Sequence, residues 1–303
     1  MSTRKSGSSL ETPSADKTQM VDQIHRTIQE LRDLPTLPAI ALEVRRLAAD
    51  PNINMGDIVA VIEEDVALTS RILRIANSAY YGVPRKIDNL NMALVILGMT
   101  EISNLVLTIT VLKMFPGKTT HTFDMTGFWR HSAVCAEVTV GLYQGLGQRP
   151  PTSAYIAGLL HDMGKLVLDQ HFNEAYARCI QRSRDENLRL ADAELSVLGV
   201  DHGHVGAWLS RRWNLPEEIV EAVAQHHIRP AATSSEALAV YIDWADRISH
   251  LMEENEDDVM RSVLVKDKQW LDWSRLPETK TISMVDKLRD RLSRSLTMIN
   301  LLG

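Results

Sequence analysis

The feature that most constrains the fold is a hydrophobic repeat of three to four residues that returns, segment after segment, along the chain. That period lines one face of a helix, whereas a half-buried strand alternates every second residue. Met20, Ile24, Ile28 and Leu31 form the first stripe, so a helix is expected from about Gln19. Ile40, Val44 and Leu47 form another, followed by Ile58, Val61 and Ile62, by Leu68, Ile72, Leu73 and Ala76, and by Met92, Val95 and Ile96. Between them fall Pro35, Pro38, Pro51, Asn52, Gly82, Pro84 and Gly98, each a breaker or φ-setting residue. Leu105 to Leu112 is ambiguous, because its Val, Ile and Thr content favours a strand locally. Its helical neighbours decide for a helix.

The same period predicts a long helix from Met125 to about Gly147, then the Pro150-Pro151 break. Thr152 is placed to cap the next helix, which carries Ile156, Leu159 and Leu160 into His161. Further helices are expected over 172–186, 192–198, 202–213, 216–226 and 236–251. Glu253 to Asp258 reads as an acidic loop, and Val285, Leu288, Leu292, Leu296 and Ile299 put a last helix over 282–301, docked on the domain. There is no strand-turn-strand signal and no internal repeat, so the expected fold class is all-α.

With 303 residues the chain can bury one large core or two modest ones. A hydrophobic fraction of 45% with 24% charged residues is that of a globular protein. The formal net charge of -6 disfavours nucleic acid as a partner, since phosphate contacts need clustered Lys and Arg. Arg71, Arg74, Arg85 and Lys86 are the best local basic patch and read as solvated helix-face charges. Cys135 and Cys179 sit in amphipathic segments and form no CxxC pair, which fits buried free thiols. The first residues are Ser-rich and charged and carry no secretory apolar segment, and no apolar run is long enough to span a bilayer. A cytoplasmic protein without membrane attachment is expected.

The residues that carry chemistry centre on Gly158-Leu159-Leu160-His161-Asp162-Met163-Gly164-Lys165. Imidazole suits Fe, Zn and Ni, and a carboxylate adds Mn and can bridge two ions. Gly164 allows close approach of backbone or ligand. Lys165 lies one turn after His161, where a cation can meet a phosphate oxygen. A lone His-Asp pair is weak evidence, but His131, His202, His226, His227 and Asp246 recur near the ends of successive helices. Each has a plain structural reading. His131 can pack beside Trp129, His226 and His227 can terminate a helix, and Asp246 can pair with Arg247 or Arg211. Jointly they favour one shared pocket inside a helical bundle.

In this order the residues resemble the HD superfamily of metal-dependent phosphohydrolases, and most closely its HDOD branch, the HD-related output domain. Leu34-Pro35-Thr36-Leu37-Pro38, the run from Ile72 to Gly82 and Ala93 to Gly98 resemble the N-terminal part of that family. Gly158 to Lys165, Leu198 to Gly206 and Trp213-Asn214-Leu215-Pro216 resemble its HD part. The likeness covers about Leu31 to Leu251.

The resemblance implies an N-terminal helical lobe packed against an HD-like lobe. The corresponding division is a disordered tail at 1–18, an N-terminal lobe at 19–120, an HD-like lobe at 121–252, and a C-terminal loop and helices at 253–303. From the related HD-GYP phosphodiesterases it implies divalent ions (Fe, Mn, Ni or Zn), up to two of them. His131, His161, Asp162 and Asp246 would hold one, and His202, His226 and His227 a second, with Asp162 bridging. Asp162 and Lys165 would be the catalytic pair, Lys165 on phosphate, with activated water attacking phosphorus.

Two departures matter. No Gly-Tyr-Pro follows His226-His227, where Ile228-Arg229-Pro230-Ala231 stands instead. Glu64-Asp65-Val66 replaces an acidic-Pro turn, so a continuous helix is expected there. His204 is an extra histidine, read as exposed. The expected function is a signal-transduction module with an HD-type metal site, responding to a ligand and working through a signalling protein partner. The alternative is a metal-dependent phosphohydrolase or phosphodiesterase acting on a nucleotide or cyclic dinucleotide.

Overall fold

The computed structural model describes residues 15–30, 38–50, 52–78, 81, 83, 85–115, 123–227, 238–254 and 264–289. Among them there is no strand. The helices are α1 (Ala15–Glu30), α2 (Ala39–Ala49), α3 (Met55–Glu63), α4 (Val66–Ala76), α5 (Leu90–Leu97), α6 (Met99–Met114) and α7 (Met125–Gly145). They continue as α8 (Ala154–Leu160), α9 (Met163–His171), α10 (Asn173–Asp185), α11 (Leu190–Val197), α12 (His202–Arg212), α13 (Glu217–Gln225) and α14 (Leu238–Glu254). Finally come α15 (Lys268–Ser274) and α16 (278–289).

Helices α2 to α6 pack on one another, and α7, α8, α9, α12, α13 and α14 form the second group. The two groups meet where α6 lies against α8. The ambiguous stretch is helical: α6 runs through it, with Leu105 to Val111 buried. Its threonines stay inside because Thr110 Oγ1 donates to the Val106 carbonyl at 2.7 Å and Thr108 shares a hydrogen bond with the Tyr155 hydroxyl at 2.9 Å. No single described helix is long and apolar enough to cross a membrane; α5 and α6 together are apolar but meet at 115°. Gly98 makes that corner with φ +85°, a value that favours glycine.

Several expectations are corrected. Helix α1 begins at Ala15, four residues before Gln19, and so takes in residues assigned to the disordered tail. It packs on α12 in the second group rather than with α2 to α6, burying Ile24 and Ile28 and setting His25 against Trp208. Glu64-Asp65-Val66 is a break, because the Asp65 carboxylate caps α4 by accepting from the Leu68 N–H at 2.8 Å. Thr152 is not the cap of α8, which starts after Ser153 without a side-chain cap. Glu253 and Glu254 belong to α14 instead of a loop. Asn77 ends α4: it donates to the Leu73 and Ile87 carbonyls and accepts from the Ile87 N–H. Leu34 to Leu37, Tyr80, Gly82, Ile228 to Ala231 and the end of the last helix beyond residue 289 lie outside the described residues.

The C-terminal helices dock on the domain. Trp270 and Trp273 pack against Trp244 of α14, and Met284 of α16 sits against Gly145 of α7. Two other glycines set the closest helix approaches. A Cβ on Gly158 would come within 2.8 Å of the Ala136 Cα, and one on Gly164 would drive into the His202 carbonyl oxygen. Gly164→Ala should therefore lower stability by about 1–3 kcal/mol or more in a urea melt, because backbone on α12 has to move. Val66→Ala, at a side chain 76% exposed, should stay within about 0.5 kcal/mol of the parent. Equal effects from the two would show that α9 and α12 do not pack as closely as described.

Candidate metal centre

The His161-Asp162 pair occupies the joint between α8 and α9, not the interior of one helix. Gly158 brings α8 onto α7, and Gly164 brings α9 onto α12, so the joint is driven into the middle of the bundle. His161 and Asp162 are buried there, at 0% and 1% exposure. His131 comes from α7, His202 from the first residue of α12, His226 and His227 from the end of α13, and Asp246 from α14. All seven predicted residues meet around Asp162.

The two carboxylate oxygens of Asp162 face different histidine groups. Oδ2 lies 3.5 Å from His161 Nε2 and 3.7 Å from His131 Nε2. Asp246 closes this side, its Oδ1 being 3.0 Å from His131 Nε2 and 3.6 Å from His161 Nε2. Oδ1 of Asp162 lies 3.1 Å from His202 Nε2 and 3.7 Å from His226 Nε2. His227 joins that side with its Nε2 2.6 Å from His202 Nε2. One donor atom from each of Asp162, His202, His226 and His227 falls within a 4.8 Å cluster, as do those of His131, His161 and Asp162.

The tautomers can be assigned from chemistry. His161 Nδ1 donates to the Gly158 carbonyl at 2.8 Å, His226 Nδ1 to the Val223 carbonyl at 2.7 Å, and His202 Nδ1 to the Glu194 carboxylate at 2.7 Å. His161 and His226 thereby turn an Nε2 lone pair inward, and His202 does so once its second proton is released. A carbonyl or carboxylate on the far nitrogen is how proteins orient histidine ligands. His226 Nε2 and Asp162 Oδ1 are buried and make no hydrogen bond of normal geometry, which is costly unless a cation draws them together. The donor set of imidazoles and carboxylates therefore fits divalent Fe, Mn, Ni or Zn.

Electrostatics agree. Burial works to raise the Asp162 carboxyl, but His161, Lys165 and the nearby His202 and His226 rings outweigh it and hold it well below the usual range. Asp246 is likewise held low against burial by His131, His161 and His250. Burial opposes charge on His202, yet Glu194 pushes it up to about 9. Burial lowers His161 and His227.

The rejected alternatives are equally plain. Arg247 pairs with Asp267 at 2.9 Å and Arg211 with Glu217 at 2.5 Å, so neither takes Asp246. His204 turns away to Asp201 at 2.8 Å. Lys165 does not stand free for a ligand: its ammonium donates to Asp162 Oδ2 at 2.6 Å. Two participants were missed. Glu194 is fully buried and grips His202 through both its ring and its backbone N–H. His250 sits 3.2 Å from Asp246 Oδ1, and its Asp246 partner raises its pKa. A cavity of about 440 Å³ opens beside the cluster, lined by Lys165, Arg189, His202, His227, Trp244 and Arg247.

Such an all-helical bundle, with two histidine groups joined by one aspartate, defines a protein of HD type. The chain belongs to the HDOD family, whose domain model matches residues 34–229. An uncharacterized protein of Treponema pallidum (strain Nichols) is 29% identical over 203 residues, 66% of this chain. The chain spans 39% of that relative's length. An HDOD domain protein of unknown function from Geobacter sulfurreducens has the same fold, with a TM-score of 0.74 at 22% identity over 93% of this chain and 99% of that one. A protein of Shewanella amazonensis SB2B, provisionally described as a phosphohydrolase, gives 0.72 at 23% identity over 92% and 98%. A second from that organism, provisionally described as a metal-dependent phosphohydrolase, gives 0.60 at 18% identity over 95% and 99%.

Two measurements test the centre. Asp162→Ala, which takes a donor from both groups, should weaken metal uptake by either group, while Asp246→Ala should spare the His202 group; metal analysis of the purified proteins reads both. Uptake by the His202 group should strengthen as pH rises toward 9, because His202 must first release the proton that Glu194 stabilises. Glu194→Gln should flatten that dependence in metal titrations, and an unchanged pH profile would remove Glu194 from the assignment.

Proposed function

We propose that the chain binds two divalent cations around Asp162 and hydrolyses a phosphoester there. The observation that carries this reading is the division of the Asp162 oxygens between two histidine groups, with the 440 Å³ cavity alongside. From sequence alone the signalling module ranks first; the intact donor set and its orienting carboxylate reverse that order.

His131, His161, Asp162 and Asp246 would hold one cation and His202, His226 and His227, with Asp162, the other. Bound cations would supply Lewis acidity and a stronger water nucleophile. The chain's own residues do the rest. Glu194 fixes the ring of His202, and the Gly158 and Val223 carbonyls fix those of His161 and His226. Lys165 is raised against burial by Asp162 and Asp246, so it stays cationic. The Lys165 ammonium lies on Asp162 at the cavity wall, where it would be the donor to a phosphoryl oxygen. Trp244 and Leu264 exclude water from the cavity wall. The provisional descriptions of the Shewanella proteins as phosphohydrolases agree with this chemistry.

The regulatory reading has its own support. The cavity's cations are already engaged: Arg189 forks onto Asp192, Arg247 binds Asp267 and Lys165 binds Asp162. A centre that binds without turnover would look like this, and a Marinobacter aquaeolei VT8 protein of similar fold is provisionally described as a signal transduction protein, with a TM-score of 0.71 at 22% identity over 95% of this chain and 66% of that one. The deciding experiment is a phosphomonoester and phosphodiester panel, cyclic dinucleotides included, with Mn, Fe, Ni and Zn each supplied. Turnover is expected, lost in Asp162→Ala and reduced about 10- to 100-fold in Lys165→Met, the worth of one hydrogen bond to a charged group. Metal-loaded protein that turns over nothing on the panel would leave the regulatory reading.

A further inference from the structure

A second cavity lies at the junction of the two helix groups, away from the metal centre. Its walls are α2, α6 and the start of α8, and its volume is about 80 Å³. By the same measure a single water needs only about 10–15 Å³, so there is room for a polyatomic ion. The polar lining comes from Arg45, Thr100, Ser103, Asn104, Thr152 and Tyr155. Among the described residues no carboxylate lines it.

Arg45 makes the cavity unusual. Its Nη1 is buried and has no hydrogen-bond partner. The next residue shows the normal arrangement: Arg46 forks onto Glu43 at 2.7 and 3.0 Å on the surface. Burial lowers the Arg45 guanidinium and the field of Glu218 only partly offsets it. The Glu218 carboxylate is itself held by the Ser153 hydroxyl at 2.8 Å. A buried guanidinium donor without an acceptor is costly, and guanidinium presents planar paired donors that match phosphate oxygens. Hydroxyl and amide groups from two other helices face the same space.

We propose that this interlobe cavity binds a phosphate-sized oxyanion, free or as the phosphoryl end of a small molecule, with Arg45 as its anchor. The ion accepts from Arg45 on α2, from Ser103 and Asn104 on α6 and from Thr152 ahead of α8. It thereby braces the first helix group against the helix that ends at His161. The site is independent of the reading given to the metal centre.

The test is calorimetric titration of inorganic phosphate, and separately of glycerol phosphate, into the full chain after chelator treatment, which removes phosphate binding through metal. One phosphate per chain is expected. Arg45→Met should weaken it at least tenfold with metal-binding capacity unchanged, and Arg45→Lys should retain part of it. Ser103→Leu, which fills the cavity and leaves Arg45 in place, should abolish binding and covers the case in which Arg45→Met fails to fold. Binding of glycerol phosphate as well as phosphate identifies a phosphorylated small molecule; binding of phosphate alone identifies the free ion. No binding to the chelated protein, or parental affinity in either Arg45→Met or Ser103→Leu, overturns the proposal.

Discussion

Everything near the centre of this molecule is arranged around one buried carboxylate. Asp162 is held ionised against its burial by histidines on both sides and by Lys165. An isolated carboxylate in such a place would be very costly, and several kcal/mol of compensation has to come from its partners. Those partners arrive from four separate helices, so the charge balance of a single side chain ties α7, α9, α12 and α13 to one geometry. The close helix approaches at Gly158 and Gly164 are the backbone counterpart of that demand.

Orientation at the centre is supplied one layer out. The rings of His161 and His226 are fixed by carbonyls one turn back on their own helices. His202 stands at the start of its helix, where no such carbonyl precedes it, and Glu194 takes the role from α11. A buried glutamate there also satisfies the first N–H of α12, so capping a helix and aiming a ligand are done by the same oxygen. That economy makes the short connection between α11 and α12 part of the site, although none of its residues touches Asp162.

The fold class and the main site residues were legible in the sequence for different reasons. Helical period is a local property and survives without knowledge of partners, which is why even the Thr-rich stretch of α6 was read correctly from its neighbours. The histidines and aspartates were legible because their types and order match a known pattern. Glu194 was not, since a glutamate two residues from a half-exposed Asp192 looks like a solvated face until α12 covers it. His250 lies one turn beyond Asp246 near a helix end, where a histidine is ordinary. Periodicity also names a buried face without naming what buries it, so the seat of α1 was misassigned. Asp65, by contrast, carried a readable capping signal that the expectation of a continuous helix passed over.

The seat of α1 has a topological consequence. Its Ile24 and Ile28 are covered by α12, nearly two hundred positions later in the chain, and the Arg212 guanidinium grips the Ile28 carbonyl. The second helix group is thus discontinuous: its outermost member is made first and must wait for its platform. Trimming the chain to begin at α7 would not isolate that group intact. It would strip an apolar strap from the outer face of α12, the helix whose first residue is His202.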